Sequence, residues 1–110
     1  MRQSYTAVIE RNIWWQGVSA TEPYEAAWAQ EALFFIRVLE QRHVQVPISF
    51  QVQISPDGMH WCNEGSVLLI DPDVGVTFAR VKHFGGWLRL QGEIPPEAAL
   101  KVLVYINLKE

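Results

Sequence analysis

The densest set of reactive side chains in the 110-residue chain is Asp57, His60, Cys62 and Glu64. A cysteine close to a histidine is the minimal kit for covalent catalysis, with a thiolate attacking and an imidazole holding its proton. Two further conditions apply: the base must be oriented by a third group, and the thiol must sit where its pKa is depressed. On an extended segment His60 and Cys62 point to the same side by alternation. No third group that could orient the imidazole is identifiable, so the stretch reads as a turn followed by a half-buried strand. His43 and His83 stand alone in the sequence and read as surface or hinge positions. The expectation is a protein that is not an enzyme.

Asp71 and Asp73 flank Pro72 and precede Gly75, which places two hard oxygen ligands on one loop. Calcium takes six to eight oxygens, so two carboxylates make only a weak calcium candidate. The competing reading is a β-turn in which the aspartate caps the backbone and the proline presets the next φ. No glycine-rich phosphate loop, zinc spacing or dinucleotide fingerprint occurs, and no cofactor is expected.

Aromatic residues carry the other chemical signal. The chain has five tryptophans, at positions 14, 15, 28, 61 and 87. If extended, Trp14 and Trp15 must face opposite ways, so at least one of them belongs outside the core. Exposed tryptophan and tyrosine stack on sugar rings or anchor protein interfaces. Arg89 alternates with Leu88 and Leu90 and shares a face with Trp87 and Gln91, where a Trp87–Arg89 cation–π contact or a binding face would form. The plainer reading makes about half of the tryptophans core fillers.

The elements that must position these groups are short strands. Ile48, Phe50, Val52 and Ile54 alternate with Ser49, Gln51 and Gln53 and run into Pro56-Asp57-Gly58, a strand with one face buried that ends in a tight turn. Further strands are expected over 4–11, 66–70, 74–82, 87–93 and 100–109, with a short one beginning at 13–15. In the last, Leu100, Val102, Val104, Ile106 and Leu108 form an apolar face. Residues 24–41 are ambiguous. Tyr24, Trp28, Ala32, Phe35 and Leu39 would share a helical stripe, whereas LFFIRVL splits into two apolar alternating sets, as in a strand covered on both sides.

Residues 31–109 resemble small β-sandwich domains of the galactose-binding, discoidin-like jelly-roll kind, as in some phage head and tail proteins. The carrying segments are FFIRVL, VQISPDGMHW, GGWLRLQG and LKVLVYINLK. The resemblance implies an all-β, antiparallel, jelly-roll-like sandwich in which 33–40 is a strand. Discoidin-type domains usually carry a paired-cysteine closure. This chain has a single cysteine, so their ligand specificity is not carried over.

Length and composition set the remaining bounds. The chain is long enough for one domain with its own core over residues 1–110. Its net charge of −3 offers no basic field for nucleic acid. No apolar run suits a membrane span or a signal peptide, and the lone cysteine suits a reducing compartment. The expectation is a structural or interaction protein, cytoplasmic or carried in a virion. It would self-associate as a homo-oligomer and decorate or complete a larger protein assembly. Trp14 or Trp15 would anchor its interface, with Tyr24 or Trp28 nearby and Trp87 and Arg89 as further contacts. A carbohydrate-binding module using exposed tryptophans is the alternative, and a small hydrolase ranks third.

Overall fold

A computed structural model describes residues 4–71, 73–82 and 84–110. His83 and Pro72, and with Pro72 the middle of the expected Asp71–Asp73 turn, lie outside the described residues. Nine strands run in chain order: β1 (Ser4–Trp15), β2 (Val18–Ala20), β3 (Tyr24–Glu25), β4 (Glu31–Arg42), β5 (Ile48–Ser55), β6 (Cys62–Ile70), β7 (Val76–Lys82), β8 (Trp87–Glu93) and β9 (Ala99–Lys109). They form two antiparallel sheets packed as a sandwich, β1-β9-β4-β7 against β2-β8-β5-β6, with β3 also pairing β8. The pairing of early strands with late ones, β1 with β9 and β2 with β8, is compatible with a jelly roll.

Alternation decides which side chains fill the gap between the sheets. Phe50 and Val52 on β5, Leu88 and Leu90 on β8, and Val102, Val104 and Ile106 on β9 are fully buried. Ile54 is only half-buried, because β5 is about to leave the sandwich at the Ser55 turn. Trp15 stacks on Phe50 with centroids 4.9 Å apart and rings tilted by 14°. Gly92 lies on the other strand beside Phe50, where a Cβ would come within 2.5 Å of the ring, so only glycine leaves room for it.

Residues 24–41 contain no helix. β4 occupies the second half, with Ala32, Phe34 and Ile36 fully buried. The expected coverage of both faces is corrected: Leu33, Phe35 and Leu39 are only half-buried, since among the described residues no further layer lies on the outer face of this sheet. Phe35 is instead shielded by its cross-strand neighbours, Tyr105 on β9 and Phe78 on β7, the latter with ring centroids 6.1 Å away. Ahead of β4, the Ala26 N–H donates to the Gly86 carbonyl, and Ala26 and Ala29 plug the core. The two short N-terminal segments expected from sequence are one strand. β1 accommodates the break with register shifts around Glu10 and with Asn12 at φ 55°, a left-handed conformation that asparagine tolerates better than most residues.

Candidate functional site

At the end of β5 the Ser55–His60 segment closes on its own side chains. Ser55 Oγ accepts the N–H groups of Asp57 (3.2 Å) and Gly58 (2.8 Å) and donates to Asp57 Oδ1 (3.0 Å). Asp57 Oδ1 also accepts the N–H groups of Met59 (2.8 Å) and His60 (2.9 Å), while Oδ2 meets His60 Nδ1 at 2.7 Å. The backbone N–H groups of His60 and Met59, and then the imidazole, hold the Asp57 carboxyl far below the usual carboxylate range. Gly58 takes φ 81°, and a Cβ there would meet the Trp87 indole at 3.2 Å, so the turn lies on that ring.

Asp57 supplies the group orienting the imidazole that sequence reading did not identify, which corrects that expectation, while neither the Ser55 hydroxyl nor the Cys62 thiol is hydrogen-bonded to His60. His60 turns its Nδ1 to Asp57, and the Cys62 thiol faces the Ile54 carbonyl at 3.8 Å. The carboxylate sits between Ser55 and His60, so the imidazole has no direct access to the hydroxyl proton. Glu64 caps the N–H of Ser66 (2.9 Å). At the other loop, Asp71 Oδ1 accepts the Asp73 N–H (2.9 Å) and the Asp71 carbonyl accepts that of Val74 (3.1 Å), which is turn capping. Among the described residues no three His, Cys, Asp or Glu side chains converge as metal ligands.

The tryptophans, with Tyr24, fall into five places. Trp15 is in the core, whereas Trp14 is 37% exposed and lies under the Arg42 guanidinium, 4.6 Å from the ring centroid. Tyr24 and Trp28 line a shallow pocket of about 390 Å³ together with Ser4 and Tyr5. Burial, and then the adjacent Tyr5 hydroxyl, raise the pKa of Tyr24. Trp87 supports the turn. Arg89 therefore does not stack on Trp87 as the alternation suggested; its guanidinium covers Trp61 at 4.4 Å. Arg89 Nε donates to Gln53 Oε1 (2.7 Å) and Gln53 Nε2 to Asn63 Oδ1 (3.0 Å), a row that crosses β8, β5 and β6 on the outer face of their sheet.

A further surface escaped sequence reasoning. β6 and β7 are edge strands of opposite sheets and lie against each other. Val67 and Leu69 on β6, Val76 and Phe78 on β7, and Val74 between them are all about half exposed. The signal was present: Val67 and Leu69 alternate with buried Leu68 and Ile70, so the strand is apolar on both faces. Comparison with known families, curated proteins and solved structures finds no match to this chain.

Proposed function

We propose that this protein is a non-enzymatic structural or interaction module that self-associates through the β6–β7 edge and decorates or completes a larger assembly, in the cytoplasm or in a virion. The observation that carries this reading is the exposed apolar stripe formed by Val67, Leu69, Val74, Val76 and Phe78 on and between adjacent edge strands, each paired on one side only. Natural edge strands are normally blunted with charge, proline or a covering segment, and an apolar edge left open is a template for another chain. The occupant best matched to it is a second copy. Antiparallel pairing of two β7 strands about Ala79 would set Phe78 against Arg80 and Val76 against Lys82, with no like charges opposed. Within one chain the Arg80 guanidinium already lies 6.0 Å from the Phe78 ring centroid. In the N-terminal third, Trp15 is in the core and Trp14, 37% exposed beneath the Arg42 guanidinium, is left as a further interface candidate with Tyr24 and Trp28. Sedimentation of the wild type beside Phe78→Glu tests the reading, which expects an oligomer and a monomer respectively.

Carbohydrate binding is the second reading. It is supported by the Ser4, Tyr5, Tyr24 and Trp28 pocket, where aromatic walls and hydroxyls occur together, and by the amide-rich row beside Arg89.

A further inference from the structure

Arg89 is held differently from the other cations of the chain. It sits on the outer face of the β2-β8-β5-β6 sheet, held by Gln53 and stacked 4.4 Å from the Trp61 ring centroid. Among the described residues it has no carboxylate partner; the ion pairs there are His60–Asp57, Arg80–Glu31 and Lys101–Glu40. Only its Nε is engaged by a side-chain acceptor, which leaves the Nη groups to donate. A guanidinium stripped of part of its water and given no counter-charge is costly, and a planar, bidentate carboxylate is the group whose geometry relieves that cost.

The surroundings narrow the class of ligand. Gln51 and Gln91 pair across β5 and β8 one step along the same face, about 7 Å from the Gln53–Arg89 pair at the usual strand rise. Side-chain amides offer a donor and an acceptor side by side, which matches vicinal hydroxyls. That spacing is the scale of a sugar ring. An acidic peptide fits less well, because it gains affinity by adding to a free strand edge. β8 and β5 are both interior strands with no such edge.

We propose that the Arg89, Gln53, Asn63 and Gln51–Gln91 face binds a uronic acid residue of an acidic saccharide, with the carboxylate on the Arg89 guanidinium and the hydroxyls on the amides. This rests on the carbohydrate reading, and the site adjoins the β6 part of the association surface, since Gln51 is the cross-strand neighbour of Val67.

The test is an NMR titration of the full chain with trigalacturonate, with neutral galactobiose and with triglutamate, following the Arg89 Nε–H and Trp61 indole N–H signals. The expected result is saturable shifts of both signals with trigalacturonate and at least about tenfold weaker binding of the other two, the size of one charge-assisted contact. Arg89→Gln should lose about tenfold in affinity. Arg89→Lys, which keeps the charge and loses the fork, should lose part of it while the backbone amide spectrum stays folded. No shift at Arg89 with trigalacturonate, or binding of triglutamate as tightly, overturns the proposal. Galactobiose shifting Tyr5, Tyr24 and Trp28 but not Arg89 also overturns it, while leaving the carbohydrate reading intact.

Discussion

Phe50 is the residue on which most of the core geometry converges. It lies between the Trp15 ring and the bare backbone of Gly92. Truncating it to alanine should cost roughly 3–5 kcal/mol. Adding a methyl at Gly92 drives a Cβ to 2.5 Å from the ring, and Gly92→Ala should cost about 1–3 kcal/mol by overpacking. Urea unfolding of both variants checks this, and a loss under about 1 kcal/mol for Phe50→Ala would mean that the ring is not in the core. Two carboxyls should respond to acid with opposite signs. The folded state lowers Asp57 below its ordinary 3.8, so its contribution is complete above 3.8 and is lost as pH falls from there through the lowered folded-state value; Asp57→Ala should remove that part of the acid sensitivity. Glu10 is raised above 4.5, mainly by burial, and the Glu22 N–H it accepts at 3.1 Å offsets this only in part. Its contribution is therefore complete below 4.5 and lost as pH rises through the raised value. Glu10→Gln should gain stability over the wild type at neutral pH and lose that advantage near pH 4. The Ser55–His60 turn was legible because proline, aspartate and glycine each have local reasons to be there. The partner of Arg89 was not, because Trp61 reaches it by folding back after the turn, and alternation reports only neighbours on one strand.

At the scale of elements, pairing order decides what sequence left open. Helical periodicity and two-sided alternation both fit residues 24–41, and β4 wins because it is hydrogen-bonded on both edges, to β7 and to β9. β5, β8 and β9 were legible from alternation, and β8 was bounded correctly because Gly86 and Ile94-Pro95 punctuate it. β2 and β3 were not, since three and two residues are too short to display a period. Central strands should open last. Amide exchange is expected to be slowest for β4 and β9 and faster along the outward edges of β6 and β7. Equal protection across all four strands in a dilute sample would contradict the strand order described.

For the whole molecule, the sandwich supplies more apolar strand surface than one interior can hide. Small domains bury a smaller fraction of their surface than large ones, and here part of the excess falls on Val67, Leu69, Val74, Val76 and Phe78, while the rest, such as Val18, Val46 and Met59, is scattered. The amount of apolar surface was legible in the sequence; its location was not, because the side-by-side placement of β6 and β7 comes from the crossing between sheets. Sedimentation velocity at micromolar concentration, comparing wild type with Phe78→Glu, tests self-association most directly. The expected result is a wild-type dimer or larger assembly and a loss of at least about 2 kcal/mol of association on placing a charge at the centre of the stripe, leaving the variant monomeric with an unchanged far-UV spectrum. A wild-type monomer at high concentration would contradict it.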